Sequence, residues 1–196
     1  MKQYEIRADY DRDTIVVYQA YREEIGKPAT KNKKFTPPFS FNRMTWIKPS
    51  FLWMMERCGY GQKAGQECIL AIKIKRSAWE YALSQAVLSH PQDGVYTSGE
   101  EWREMMDNAT VNVQWDPERS IRGGKLDYRS IQVGISRHLI EEYNNDWIVD
   151  IEDYTPLVHK IYQLKMDGRH DKAKELLPRE KVYPVSDEIM KRLGMD

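Results

Sequence analysis

The sequence has 196 residues, the length of one domain. Hydrophobic residues make up 41% of the chain and aromatic residues 11%, which is typical of a globular protein with a buried core and not of a disordered chain. The 30 Lys and Arg are balanced by 30 Asp and Glu, so the composition excludes a histone-like polycation and an acidic tail protein.

The composition also limits the location of the protein. No apolar stretch approaches the roughly 20 residues that a membrane-spanning helix requires. The N-terminal run MKQYEIRADYDRD lacks the apolar segment of a secretion signal. Two cysteines, Cys58 and Cys68, are too few for a disulfide framework or a four-ligand zinc site of their own. We therefore expect a cytoplasmic protein with no membrane segment and no metal centre.

The balanced total conceals an uneven distribution of charge. Residues 1–80 contain 15 Lys and Arg against 9 Asp and Glu, and the rest of the chain has the opposite imbalance. A positive half attracts an anionic ligand even when the whole molecule is neutral. The alternative is that the two halves face each other, and the sequence does not decide between the two.

Periodicity and capping residues predict the elements of the first third of the chain. Alternation predicts a strand at residues 4–8, and helical spacing predicts a helix over 13–25 with Asp13 as its N-cap. Residues 27–40 are predicted to form a lysine-rich loop. Residues 43–48 read as a short strand that runs into a buried helix, which begins at Pro49 and is closed by Gly59.

The middle of the chain alternates between strands and capped helices. We predict a strand at 68–75, a helix from Ser77 to about 90, a helix from Ser98 to about 106, and a strand at 110–116 that Pro117 interrupts. A flexible loop at 122–125 then leads to a strand at 129–135, the possible antiparallel partner of the strand before it.

From residue 136 onward the pattern is helical. It contains a clear helix at about 155–166 and a short segment capped by Ser186, in a tail that wraps the body. We find no repeat or linker. The sequence therefore predicts a single α+β domain over residues 1–196, with a mixed or antiparallel sheet and helices packed around it.

Common catalytic motifs are absent. The sequence contains no glycine-rich nucleotide loop, nucleophile elbow or paired-histidine helix. The four histidines are scattered over predicted helix ends and faces, which favours surface or capping roles over metal ligation. The two cysteines are predicted to be small core residues.

Three stretches are rich in residue types that bind ligands. Each combines an aromatic ring with charged or amide groups at the end of a predicted strand, where α+β folds commonly open a cleft. The stretches are residues 7–9 with Tyr18 and Gln19, residues 42–50, and residues 114–119 with Arg129 and Gln132. Aromatic rings stack on planar ligands, and arginine binds phosphate through a forked set of donors.

Each of these residues also has a purely structural interpretation. Trp46, Trp53 and Trp115 are equally consistent with core positions, Asp116 before Pro117 is a common turn opener, and the adjacent Glu and Arg of residues 118–119 are consistent with a solvated pair.

Three phrases of the sequence resemble a known family. The runs IRADYDRDTIVVYQAY and RMTWIKPSFLWMMERCGYG, together with QWDPER followed by RSIQVGI, are similar to the domain of unknown function family numbered 4291. The resemblance extends from about residue 4 to about 190. The family name implies no activity.

A second resemblance is to the ADP-ribosyltransferase fold. That family has an Arg or His on its first strand, a Ser, Thr or Tyr on a middle strand that runs into a helix, and a Glu near a late strand. Arg7 resembles the first position, Thr45 the second and Glu118 the third. The late strand departs from the family pattern, because Gln114, Asp116 and Glu118 replace a Glu-x-Glu pair and Pro117 is predicted to place Glu118 in a loop.

This resemblance implies an enzyme that uses NAD and transfers ADP-ribose to an unidentified acceptor. Its implied catalytic residues are Glu118, Asp116 and Arg7, with one of the two acids stabilising positive charge on the ribose. The cofactor-binding residues that we expect are Tyr18, Gln19, Arg43, Thr45, Trp46, Lys48, Gln114 and Arg119. Among these, Arg43 joins Arg7 at the diphosphate, Trp46 or Tyr18 stacks on a ring, and Gln19 or Gln114 orients a hydroxyl or amide.

Two other functions stay open. A nucleic-acid-binding module would use the basic half, with Lys31, Lys33 and Lys34 contacting phosphates and nearby aromatic rings stacking on bases. A protein-interaction partner would present a flat surface. The enzyme hypothesis instead requires that the predicted site residues converge on one cavity.

Overall fold

The computed structural model describes residues 3–195. Within that range the elements follow in chain order, with a π-helical turn at Tyr143–Trp147 after α5. They are β1 (Arg7–Ala8), β2 (Thr14–Tyr21), α1 (Glu23–Asn32), β3 (Thr45–Ile47), α2 (Phe51–Cys58), β4 (Cys68–Lys75), α3 (Arg76–Gln85), β5 (Val87–Leu88), α4 (Gly99–Asp107), β6 (Val111–Arg119), β7 (Lys125–Ile135), α5 (Ile140–Glu142), β8 (Ile148–Asp153), α6 (Thr155–Met166), α7 (His170–Glu175), β9 (Lys181–Val182) and α8 (Asp187–Arg192).

The strands form two main sheets and a small ribbon. One sheet has the order β2-β4-β8 and is antiparallel throughout. The other has the order β3-β7-β6-β5, in which β5 is parallel to β6 and the other pairs are antiparallel. The ribbon pairs β1 with β9 near the two ends of the chain. The prediction of an α+β fold with a mixed or antiparallel sheet is confirmed.

The strands β2 and β4 are buried on both faces. Along β4, Leu70 and Ile72 pack into one hydrophobic cluster, together with side chains of β6, β7 and α3. Ile69 and Ala71 point the other way, into a second cluster that α2 and α6 cover. A strand covered on both faces has no polar side, so its sequence loses the alternation that identifies a half-exposed strand.

The predicted helix at 13–25 is therefore wrong. Residues 14–21, TIVVYQAY, form β2 and pair with β4 over eight register positions. The β-branched run at Thr14–Val17 fits a pleated strand, and the helical spacing of Ile15 and Tyr18 was coincidental because residues on both faces are apolar.

The predicted loop at 27–40 is also partly wrong. Its first residues belong to α1, which runs from Glu23 to Asn32 and ends where Lys33 adopts a left-handed conformation with φ of 58°. Glycine followed by proline is typical of the end of a helix, yet Gly26 and Pro28 both lie inside α1.

The predicted break at Pro117 is also wrong. β6 continues through it to Arg119, with an irregularity in its pairing with β7 between Pro117 and Arg119. A bulge accommodates proline within a strand because it relieves the ladder of one backbone donor. Glu118 consequently lies on the strand and not in a loop.

Two smaller corrections concern the ends of elements. The helix predicted from Ser77 to about 90 ends at Gln85, and the helical stretch predicted after residue 136 contains a strand, β8. The short strand β8 can be recognised only from its pairing with β4.

Several other predictions that rest on local signals are confirmed. Helix α2 ends at Gly59, with φ of 60°, as predicted. Its start differs from the prediction: the first helical residue is Phe51 and not Pro49, because the Ser50 hydroxyl caps the helix by accepting the Trp53 N–H at 3.1 Å. The strand β4, the antiparallel pairing of β6 with β7, and the helices α4, α6 and α8 lie where the sequence predicts them. The strand β7 ends where predicted but begins at Lys125, four residues before the predicted start. Within the described residues, no helix is both long enough and apolar enough to cross a membrane.

Candidate functional site

A cavity of about 330 Å³ opens where β2 and β3 diverge. The two strands share one backbone bridge, in which Tyr18 N–H donates to the Lys48 carbonyl at 2.7 Å and Lys48 N–H donates back at 3.3 Å. Past this bridge no backbone ladder joins them. The cavity is lined by the residues Gln19, Ala20, Tyr21, Phe39, Ser40, Arg43, Met44, Thr45, Trp46, Lys48, Met54, Arg57 and Gln66.

The charged side chains in this lining are all cations. Arg43 comes from the loop before β3, Lys48 follows β3, and Arg57 lies on the last turn of α2. The lining contains no Asp or Glu. Arginine and lysine gathered without acidic neighbours attract an anion, and the guanidinium fork matches phosphate oxygens.

Lys48 is the least solvated of the three cations. The residue is 5% exposed, and its ammonium has no hydrogen bond or ion pair with any described residue. Burial, with a smaller contribution from the nearby Arg57 charge, lowers the pKa of Lys48 to about 8, while Asp116 opposes the shift. A buried cation without a partner is costly, because it has lost its hydration without gaining an opposite charge.

A network of neutral polar groups forms the floor of the cavity. The Gln19 amide donates to Thr45 Oγ1 at 2.6 Å and to the Tyr21 hydroxyl at 2.8 Å, and it accepts from the Tyr143 hydroxyl at 2.9 Å. This side chain spans the gap in which the backbone ladder between β2 and β3 is missing. Burial raises the pKa of Tyr21 to about 12, so the network carries no negative charge that would neutralise the cations.

One glycine allows an aromatic ring to lie flat along the cavity wall. Trp46 pairs across the sheet with Gly134, and a Cβ added at Gly134 would come within 3.0 Å of the Trp46 ring and 2.6 Å of the Met44 sulfur. A larger residue at this position would require the ring and the Met44 side chain to shift, so glycine permits the close approach of the ring to the strand. The ring is therefore held against the sheet with its position fixed.

A polar face of the second sheet adjoins the cavity. Ile47 pairs with Val133, so Lys48 follows opposite Gln132, whose amide donates to Asp116 Oδ2 at 2.7 Å. The Gln114 amide donates to the other oxygen of Asp116 at 2.9 Å. Lys48 and Asp116 are thus two strands apart, and Asp116 lies two positions further along β6 than Gln114, which pairs with Gln132.

Comparison with protein families identifies the chain. The family model described as "Domain of unknown function (DUF4291)" matches residues 5–183. The chain belongs to the DUF4291 family. This confirms the resemblance noted in the sequence, and no curated protein matches the chain.

The structure of this DUF4291 protein does not bring all the predicted site residues into one cavity. Five of them line it, namely Gln19, Arg43, Thr45, Trp46 and Lys48. Gln114 and Asp116 lie on the adjoining polar face, whereas Arg7, Tyr18, Glu118 and Arg119 lie elsewhere.

Arg7 and Glu118 belong to a second cluster, near the start of α2. Arg7 forms an ion pair with Glu5 at 2.7 Å, and the 5% exposed Glu118 accepts the Arg119 N–H at 2.8 Å. The half-buried Glu180 joins them, since its carboxylate accepts the first N–H of α2, at Phe51, at 2.6 Å. We call Arg7, Glu118 and Glu180 the carboxyl cluster.

Burial raises the pKa of both acids in the carboxyl cluster. For Glu180 the pKa rises to about 8, and the neighbouring Glu118 contributes to the shift while Arg7 opposes it. For Glu118 burial is again the main cause, and the Arg119 N–H and Arg7 oppose it. Burial therefore favours the protonated form of each acid over the charged carboxylate.

Tyr18 and Arg119 are occupied by contacts within the protein. Tyr18 is fully buried, with its ring packed edge-on against Phe51 at 5.4 Å, and it does not line the cavity. Arg119 lies 5.8 Å over the Trp53 ring and forms an ion pair with Glu56 at 3.5 Å.

The predicted lysine loop is partly neutralised. Lys27 forms an ion pair with Glu23 on α1. Lys33 pairs with Asp150 at 2.9 Å and donates to the Ile151 carbonyl at 2.8 Å. Lys31 and Lys34 are exposed.

Sequence reasoning missed three residues that shape the cavity. Arg57 and Gln66 reach it from the end of α2 and from the turn after it, and Tyr21 reaches it from a segment predicted as helix. The apolar run before Arg57 and the glycines around Gln66 gave no sign of a ligand. Among the described residues, no group of three or more His, Cys, Asp or Glu is arranged to hold a metal ion.

Proposed function

We propose that this DUF4291 protein binds a nucleotide of the NAD class in the cavity between β2 and β3 and transfers its ADP-ribose to an acceptor. The observation that carries the proposal is Lys48, a buried cation with no partner that lines the cavity beside Arg43 and Arg57. An anionic ligand would supply the charge that the protein does not provide. Because three cations converge there, a diphosphate fits better than a single carboxylate.

The other lining residues supply the remaining requirements of a nucleotide. Trp46 offers a ring for stacking, and Gln19 and Thr45 offer an amide and a hydroxyl for the ribose. The cavity volume of about 330 Å³ is at the lower end of small-molecule sites and suits one half of a dinucleotide. The rest of the ligand would extend along the polar face towards Asp116.

Asp116 is the acid that we assign to the transfer step. When the bond from ribose to nicotinamide breaks, its electron pair leaves with nicotinamide and positive charge develops on the ribose, to which the acceptor then bonds. The Asp116 carboxylate, fixed by Gln114 and Gln132, would stabilise that charge more than mobile water does. Glu118 is a weaker candidate, because it is buried in the carboxyl cluster and favours its protonated form.

Equilibrium titration with NAD, combined with measurement of nicotinamide release, tests the proposal. Lys48→Met should weaken NAD binding by about 10- to 100-fold, the usual loss for one charged contact. The matched control Lys172→Met, at an exposed position on α7, should bind like the wild type. If the wild type neither binds NAD nor consumes it, the proposal is wrong.

The catalytic part of the proposal has its own variant. Asp116→Asn should bind NAD within a few-fold of the wild type and release nicotinamide about 100-fold more slowly. The exposed Asp127→Asn on β7 is the control. Equal rates for Asp116→Asn and the wild type would remove Asp116 from the reaction while leaving nucleotide binding in place.

A nucleic-acid ligand is the alternative function. It is less favoured because Lys27 and Lys33 are already paired with acids. It predicts RNA or DNA binding that weakens steeply with salt, and a shallower salt dependence after Lys31→Ala and Lys34→Ala. An unchanged slope counts against it.

We also propose a reducing, cytoplasmic location. Cys58 and Cys68 are both buried free thiols. Free thiols of this kind are ordinary in a reducing compartment.

A further inference from the structure

The geometry of the cavity points to a second property of Lys48: we infer that its amine forms an imine with an aldehyde or ketone that carries a phosphate group. This inference concerns the same cavity as the proposed function. It requires only that the cavity accepts an anion, and it does not require that the anion is a nucleotide.

The backbone of Lys48 is held in place, whereas its side-chain ammonium has no polar partner. Its backbone N–H and carbonyl both pair with Tyr18, and the buried Pro49 and Ser50 follow it directly. The side chain lines the cavity, is shielded from bulk water, and has no hydrogen bond or ion pair with any described residue. The Lys48 Nζ is not fully enclosed by the protein, so a molecule that enters the cavity can reach it.

The surroundings of Lys48 favour the neutral amine, which is the nucleophile. Burial is the main cause, Arg57 on α2 acts in the same direction, and Asp116 on β6 and Cys58 on α2 act against it. Arg43 and Tyr21 complete the titratable groups around the cavity. With a pKa of about 8 in place of 10.5, the neutral fraction at pH 7 is about 300-fold larger than for an ordinary lysine.

The two arginines define the class of carbonyl compound. Arg43 and Arg57 lie at the exposed part of the lining, on either side of Lys48 in the sequence, and both present guanidinium groups suited to phosphate. The absence of Asp and Glu from the lining excludes a preference for a cationic substrate. A small aldehyde or ketone phosphate would place its phosphate on the arginines and its carbonyl carbon at the amine.

The reaction needs no oxidant or reductant. The lone pair of Lys48 Nζ attacks the carbonyl carbon, and the C=O π electrons move to oxygen, which takes up a proton to give a carbinolamine. The nitrogen loses its second proton and the hydroxyl leaves as water as the C=N bond forms. One amine and one carbonyl compound therefore yield one imine and one water, and the imine nitrogen binds a solvent proton in its cationic form.

Labelling with pyridoxal 5′-phosphate tests the inference. The wild type would be mixed with this phosphate-bearing aldehyde at pH 7, reduced with borohydride, digested, and mapped by mass spectrometry. We expect Lys48 to be labelled at least 10-fold faster than exposed lysines such as Lys172. Pyridoxal, which lacks the phosphate, should label Lys48 at least several-fold more slowly.

Variants separate the amine from the phosphate site. Lys48→Met should remove the fast label and leave the slow surface labelling unchanged. Arg43→Ala should reduce the advantage of the phosphate without changing the pH dependence of labelling. Arg57→Ala should reduce the advantage of the phosphate and also change the pH dependence of labelling, because Arg57 lowers the pKa of Lys48. Labelling of Lys48 no faster than of Lys172, in a wild type that is folded by circular dichroism, would overturn the inference.

Two outcomes distinguish this inference from the proposed function. If Lys48 is labelled rapidly but NAD neither binds nor slows the labelling, the imine chemistry stands and the nucleotide proposal is wrong. If NAD binds and Lys48 is not labelled in its absence, the nucleotide proposal stands and the imine inference is wrong.

Discussion

Two polar regions adjoin the start of α2, and they differ in how far the protein compensates their charged groups. In the cavity, Lys48 is buried without a counter-charge but faces an opening. In the carboxyl cluster, Glu118 and Glu180 are screened from water and are held by backbone N–H groups and by Arg7. The carboxyl cluster is complete within the protein, whereas the cavity lacks an anion. Incomplete charge compensation beside an opening is the feature on which the proposed binding site rests.

Removing the uncompensated charge should have the largest effect. Lys48→Met keeps the length and apolar stem of the side chain and deletes its ammonium. We expect weaker NAD binding and, at the same time, a free energy of unfolding at pH 7 that is higher by about 3 kcal/mol, the equivalent of lowering a pKa from 10.5 to about 8. Urea unfolding of the wild type, Lys48→Met and the control Lys172→Met measures the difference in the free energy of unfolding.

The pH dependence sharpens the same prediction. The folded wild type loses the Lys48 proton near pH 8, whereas the unfolded chain keeps it until about pH 10.5, so the destabilisation disappears as the pH rises through this window. The difference between Lys48→Met and the wild type should therefore shrink above pH 8. A constant difference from pH 7 to pH 10 would show that Lys48 is not a buried charge.

The carboxyl cluster should show the opposite pH dependence. The pKa of Glu180 is raised to about 8, so the folded protein holds a proton that the unfolded chain releases near pH 4.5, and stability falls as the pH rises between these values. Glu180→Gln keeps an acceptor for the Phe51 N–H and abolishes this fall. We expect a gain on the order of 2 kcal/mol at pH 8 and little change at pH 4.

Thermal unfolding of Glu180→Gln across that pH range checks the prediction. The exposed Glu175→Gln on α7 is the matched control. A Glu180→Gln variant that unfolds with the same pH profile as the wild type would contradict the account of the carboxyl cluster.

A smaller effect should come from Gly134, which shapes the cavity wall. Gly134→Ala would force the Trp46 ring and the Met44 sulfur away from the sheet. We expect a loss of about 1–3 kcal/mol of stability and weaker NAD binding through the displaced ring. Tryptophan fluorescence and urea unfolding report the two effects, and Gly124→Ala, in the loop between β6 and β7, is the control.

The smallest effect on stability should come from helix α2, whose start adjoins both regions. Ser50→Ala removes the side-chain cap of α2 and should cost about 1 kcal/mol. Ser98→Ala removes the equivalent cap of α4, whose Ser98 hydroxyl accepts the Glu101 N–H at 3.1 Å in an exposed setting. If α2 supports both regions, Ser50→Ala should also weaken NAD binding, whereas Ser98→Ala should not.

The candidate site could be predicted from the sequence only in part. The segment around Trp46 and Lys48 was identified because aromatic, cationic and polar residues occur together at the end of a short strand. Arg7 and Glu118 were grouped with it by resemblance, and the structure places them in the carboxyl cluster instead. Arg57 and Tyr21 carried no signal, because their role depends on which chain segments lie next to one another.

What the sequence by itself determined is the local structure of elements with their own start and stop signals. The end of helix α2 follows from Gly59, and the pairing of β6 with β7 follows from two runs joined by a glycine-containing loop, since these signals act over a few residues. Only the tertiary structure decided that residues 14–21 form a strand and that Lys48 is buried beside an opening. Both depend on contacts with segments distant in sequence, which local pattern does not encode.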